Sequence, residues 1–178
     1  EHGSSSGRSM GEVMNSPQKL MSRISPEDRL LFACTRQNFS DIHRQTVLDI
    51  CHQQTIDWEF VYSTAESHGV APMVYANLQQ CDLLHLDVPQ KVLDQFELCY
   101  YRNIIGQERR AKKLKRVLAF FNRQSLEVML VKGAALNILV YDQPWYTASH
   151  AVDLVIRAKR DELPDRVVRE IEQLYDRD

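Results

Sequence analysis

From Ser25 onward the apolar residues recur at steps of three, four and seven, and near residue 126 the period changes. SPEDRLLFACTRQ offers Ser25 as an N-cap, Pro26 at the first helical position and acids in the first turn, which predicts a helix start. SDIHRQTVLDICHQQ repeats the arrangement behind Ser40 and sets Ile42, Val47, Ile50 and Cys51 on or near one face. DWEFVYSTAESHG predicts a third helix, capped by Asp57, with Trp58, Val61, Tyr62 and Ala65 inward and Gly69 as its stop. APMVYANLQQ is a short fourth. Pro89 opens the longest element, whose stripe runs through Val92, Phe96, Tyr100, Ile104, Ala111, Leu114, Leu118 and Phe121. It reads as one amphipathic helix, with Gly106 as the place where it could break.

Past residue 125 the apolar runs are shorter. LEVMLV predicts a strand ending in a turn at Lys132-Gly133, AALNILVYD a helix, QPWYTASH a loop and AVDLVIR a second strand. LPDRVVREIEQLYDRD predicts an amphipathic helix with Pro164 in its first turn. The expected class is therefore α+β and mostly helical: an N-terminal helical bundle followed by a minimal strand–helix–strand–helix core. Three regions follow, a leader over 1–22, a helical region over 23–124 and a partial core over 125–178. The leader's EHGSSSGRSM is Ser/Gly-rich, resembles an expression-vector remnant ahead of Met10 and is expected to be disordered.

Composition narrows the picture only modestly. A net charge of −2 exerts no global pull toward nucleic acid or an anionic membrane. Lys132 interrupts the best apolar run, VMLVKGAALNILVY, so no membrane span is expected, and without a signal-peptide pattern the expected location is cytoplasmic. Cys34, Cys51, Cys81 and Cys99 form no CxxC pair and read as buried thiols rather than zinc ligands. Arg109, Lys112, Lys113 and Arg116 form a basic stretch on the long helix, mostly away from the apolar stripe. A solvated face is the plain reading of that stretch, and a cationic wall over a nucleotide site the sharper one.

Candidate chemistry gathers at the end of the first strand and on the second. Phosphate binding asks for exposed backbone N–H groups at a helix N-terminus with a glycine allowing close approach, and Gly133 stands there with Lys132 as a point charge beside it. Alone, the pair would be a turn glycine and a surface lysine. Side chains alternate along a strand, so 151, 153 and 155 share a face, and two acids at 151 and 153 would converge on one Mg²⁺. Here Asp153 is present but Ala151 takes the other position, while His150 would face the other way. Without further context Asp153 would be a cap or an ion-pair partner. Trp58 and His68 read as helix packing with a polar handle at the surface, and Trp145-Tyr146 as either a base-stacking pair or a cover for an apolar edge.

Three stretches, IDWEFVYSTAESHGVAPMVYANL, LEVMLVKGAALNILVY and AVDLVI, stand in order across most of residues 26–157. Together they resemble the uncharacterised nucleotidyltransferase family, a branch of the nucleotidyltransferase superfamily related in fold to DNA polymerase beta. The resemblance implies Gly133 under a nucleoside triphosphate, Lys132 as a charge partner and Asp153 as a catalytic metal ligand for Mg²⁺. It further implies transfer of a nucleotidyl group to an unknown acceptor. Ala151 departs from the paired acids, Thr147 stands where the family often has an Arg, and only one helix follows Arg157 where a later acid-bearing strand is expected. Transfer is accordingly expected to be impaired. The alternative is a catalytically inactive nucleotide-binding or protein-interaction module on the same fold. The small sheet is expected to be packed against the long helix or completed by a second copy, or else the chain is a fragment.

Overall fold

The computed structural model describes residues 24–81, 86–148, 151–158 and 165–176. Its helices are α1 (Pro26–Cys34), α2 (Asp41–Gln53), α3 (Trp58–Ser67), α4 (Ala71–Leu78), α5 (Gln90–Arg123), α6 (Lys132–Leu139) and α7 (Asp165–Asp176). The strands are β1 (Val128–Val131), before α6, and β2 (Asp153–Ile156), after it. The protein is thus a mostly helical α+β fold with one small sheet. The leader lies outside the described residues, as do His150 and Pro164.

Local chemistry explains the helix starts. Ser25 Oγ accepts from the Asp28 amide at 3.0 Å, and Asp57 Oδ1 accepts from the Phe60 amide at 3.0 Å. Helix α3 ends where Gly69 takes φ +68°, a left-handed turn that only glycine adopts without strain. The expected faces hold with two corrections. Val47 and Ile50 are buried, but Ile42 is 78% exposed, because it lies in the first turn of α2 beyond the edge of the core. Ala111 is exposed too, because it lies beyond the edge of the face that Phe96, Asn103, Gln107 and Phe121 bury.

Helix α5 runs unbroken through Gly106. A Cβ at that position would come within 3.1 Å of Arg110 Nη1, so the glycine makes room for a guanidinium folded back along the helix. The helix carries two hydrophobic clusters. Its N-terminal half contributes Val92 and Phe96 to a core formed with α1–α4, in which Leu30, Val61, Val74 and Leu78 are fully buried. Its C-terminal half contributes Val117, Phe120 and Phe121 to a smaller cluster with Val167 of α7 and the inner sheet face, Val128, Leu154 and Ile156. Between the clusters the buried α5 residues are polar, Asn103 and Gln107.

The sheet is a two-stranded antiparallel ladder pairing Val128 with Ile156, Met129 with Val155, Leu130 with Leu154 and Val131 with Asp153. Period-2 alternation puts Val128, Leu154 and Ile156 against α5 and leaves Met129 and Val155 exposed on the other face.

Candidate functional site

The end of β1 passes directly into α6. The predicted Lys132-Gly133 turn is instead the opening of the helix, and the change of direction is concentrated in Lys132, whose φ is +53°. A side-chain-bearing residue in this region is strained, a condition that recurs at functional sites. Among the described residues no side chain caps α6, so the first-turn amides, Gly133 among them, lack a capping side-chain acceptor at this end of the sheet.

The register pairs Val131 with Asp153, which brings the Asp153 carboxylate beside the next residue. Lys132 Nζ donates to Asp153 Oδ1 at 3.3 Å, across 21 residues of sequence. The Lys132 side chain is 74% exposed and that of Asp153 40%, so both remain reachable from solution. All three expected site residues, Lys132, Gly133 and Asp153, therefore meet at one corner of the fold. Ala151 precedes β2 and is not part of it, so the strand is shorter at its start than AVDLVIR suggested.

A cleft of about 190 Å³ adjoins this corner, lined by Ala134 of α6, Ala151 and Val152 ahead of β2, Trp145 of the loop, and Gln107 and Arg110 of α5. A chain of polar contacts holds its far wall. Asn103 Nδ2 donates to the Trp145 carbonyl at 2.5 Å and to the Thr147 carbonyl at 3.3 Å, and Gln107 Nε2 donates to the Thr147 carbonyl at 3.2 Å. The Ala148 amide donates to Gly69 O at 2.8 Å, and Thr147 Oγ1 lies 3.2 Å from Asn137 Oδ1. Thr147 thus fastens the loop to α5 and α6 at the position where an Arg was expected. Burial pulls the Arg110 guanidinium below the ordinary arginine value and pushes the Tyr146 phenol above its usual range.

Asn103, Gln107 and Arg110 did not stand out in the sequence. Their signal is present: at i, i+4 and i+7 they form a polar interruption on the packed side of an amphipathic helix. The basic residues Arg109, Lys112, Lys113 and Arg116 line a different groove, about half a helical turn around α5 from the cleft at 100° per residue. They are not a wall over the candidate site.

Among the described residues, a metal at this corner would find one carboxylate, Asp153, already ion-paired to Lys132. Among the described residues no group of three or more His, Cys, Asp or Glu side chains converges. That donor set does not make a protein cage for Mg²⁺, which needs further oxygens from phosphate and water. No described helix is long and apolar enough to cross a membrane.

Neither a curated protein nor a solved structure matches the chain. A family described as uncharacterised nucleotidyltransferase matches residues 54–170, well over half of the sequence, from the approach to α3 into α7. Lys132, Gly133 and Asp153 all lie inside that match, and the chain belongs to the uncharacterised nucleotidyltransferase family.

Proposed function

We propose that the corner formed by Lys132, Gly133 and Asp153 binds a nucleoside triphosphate, and that transfer of its nucleotidyl group to an acceptor is impaired in this chain. The observation that carries the reading is the 3.3 Å contact between Lys132 and Asp153 at the uncapped start of α6. The uncapped amides and the Lys132 ammonium suit phosphate oxygens, and Asp153 suits a cation accompanying them. When bound, Mg²⁺ would supply charge neutralisation for the triphosphate. The adjoining cleft is smaller than the usual 300–1,000 Å³ of a complete ligand pocket, and suits one ring system beside Trp145 and Arg110.

Impairment follows from the donor count. With alanine at 151, the described residues contribute a single carboxylate to the corner, and metal position as well as affinity suffers. The same observation favours the second reading, a nucleotide-binding or interaction module without turnover.

Calorimetric titration with each nucleoside triphosphate, with and without Mg²⁺, tests the site. Binding should strengthen with Mg²⁺ and weaken at least tenfold in Asp153→Ala, and Ala151→Asp should deepen the Mg²⁺ dependence. Binding indifferent to both Mg²⁺ and Asp153 would overturn the proposal. Release of pyrophosphate by Ala151→Asp but not by the parent chain would separate an impaired enzyme from a module with no transfer chemistry.

A further inference from the structure

The exposed face of α5 carries a charge pattern that the candidate site does not use. Arg102, Arg109, Arg116 and Arg123 recur every seven residues, and all four are exposed. Lys112 and Lys113 fill the middle interval, and Arg109, Lys112, Lys113 and Arg116 line a shallow groove of about 440 Å³, with no acid among the described residues of its wall. Among the described residues, Arg109, Lys112 and Arg116 take part in none of the ion pairs, which join Arg44 to Asp41, Lys91 to Glu59, Lys132 to Asp153 and Arg157 to Glu127. The chain as a whole is slightly acidic, so this array is a local concentration of cations and not a share of a basic surface.

We propose that this face of α5 binds the phosphate backbone of single-stranded nucleic acid. Helical rise sets Arg109 to Lys112 about 4.5 Å apart along the axis and Lys112 to Arg116 about 6 Å. A straight row of cations at such intervals complements a linear polyanion. Arginine predominates in the row, and its planar fork matches phosphate oxygens pairwise. Tyr101, half exposed beside Arg102, offers a ring on which a base can stack. An anionic membrane would call for apolar wedges throughout the cations; Ile105 is half exposed between Arg102 and Arg109, but between Arg109 and Arg116, where the cations are densest, this face has none. The inference stands apart from the nucleotide reading, because the groove lies around the helix from the cleft.

Fluorescence anisotropy of a labelled 20-nucleotide mixed-sequence RNA, with the whole chain and without nucleoside triphosphate or Mg²⁺, is the test. Three to four phosphate contacts on a single strand give a slope of log K against log salt of about −2 to −3, or a loss of roughly 20- to 50-fold between 50 and 200 mM salt. The triple variant R109Q/K112Q/R116Q should flatten the slope by about 2 and abolish binding at 200 mM. The pair K91Q/R157Q, which removes exposed cations elsewhere, should bind as the parent does. Asp153→Ala should also leave RNA binding intact, so failure of the nucleotide site and failure of this surface are read separately. An unchanged affinity in the triple variant, with circular dichroism showing it folded, overturns the proposal. Stronger binding of polyglutamate or of phosphatidylserine vesicles than of RNA overturns it as well, in favour of an acidic protein or a membrane.

Discussion

Lys132 adopts φ +53°, and that single backbone angle yields a prediction separable from its charge. A residue with a Cβ in the left-handed region is disfavoured by roughly 1–2 kcal/mol, whereas glycine is not. Glycine's greater freedom in the unfolded chain opposes this by about 0.4–1 kcal/mol. Lys132→Gly and Lys132→Ala both delete the ion pair to Asp153, so its contribution cancels between them. The glycine variant should therefore be the more stable of the two by about 1 kcal/mol, which for a chain of this size moves the midpoint by about 2–4 °C. Against the parent, Lys132→Gly should be close to neutral, since an exposed pair of this kind contributes at most about 1 kcal/mol. Both variants should bind nucleoside triphosphate more weakly, because both lose the ammonium. The assay is thermal or urea unfolding of the three proteins, followed by calorimetric titration. If Lys132→Ala matched or exceeded Lys132→Gly in stability, the left-handed backbone at 132 and the strained-site reasoning built on it would be refuted.

Asn103→Leu should cost about 1–3 kcal/mol, because it leaves the Trp145 carbonyl without its donor in a half-buried setting. It should also red-shift the Trp145 emission while the buried Trp58 stays as it is, and an unchanged spectrum would contradict the anchoring of the Trp145 loop by Asn103. Phe120→Ala should cost about 3–5 kcal/mol and accelerate hydrogen exchange in β1, β2 and α7 ahead of α1–α4, since Phe120 belongs to the smaller cluster alone. Burial lifts the Cys51 and Cys81 thiols from 9.0 to about 11, so the folded state holds protons that the unfolded state releases first. Their contribution to stability is present below pH 9 and lost as the pH rises toward 11. The double variant Cys51→Ala/Cys81→Ala should flatten that decline in urea midpoints across the same window.

Much of this fold was legible in the sequence because its determinants are local. Ser25, Asp57 and Gly69 mark helix ends through contacts within four residues, and the 3.6-residue period of Val92 and Phe96 survives intact in α5. The meeting of Lys132, Gly133 and Asp153 was expected from motif order, but the contact itself depends on register, which periodicity does not supply. Other features stayed hidden for related reasons. Burial of Asn103 and Gln107 depends on a loop some 40 residues downstream, and polar residues on a helix read as solvent-facing until their partners are known. Ile42 failed because one helical face is wider than the surface that covers it at the end of α2. The helix passes unbroken through Gly106, against that residue's low propensity, and the Arg110 guanidinium one turn on occupies the space a Cβ there would take.

The length of α5 bears on how the chain acquires its structure. Thirty-four residues at 1.5 Å each make a rod of about 51 Å, nucleated at one end by a helical cluster closed through contacts between neighbouring segments. Helix propagation is far easier than nucleation, so order is expected to spread outward along the rod and to present Val117, Phe120 and Phe121 before β1 and β2 pair. The strands, whose partners lie 22 to 28 residues apart in the chain, then assemble on a surface already in place. A nascent chain halted near Gln124 would hold that sticky end uncovered, making the interval between synthesis of α5 and arrival of β2 the period of greatest exposure to aggregation.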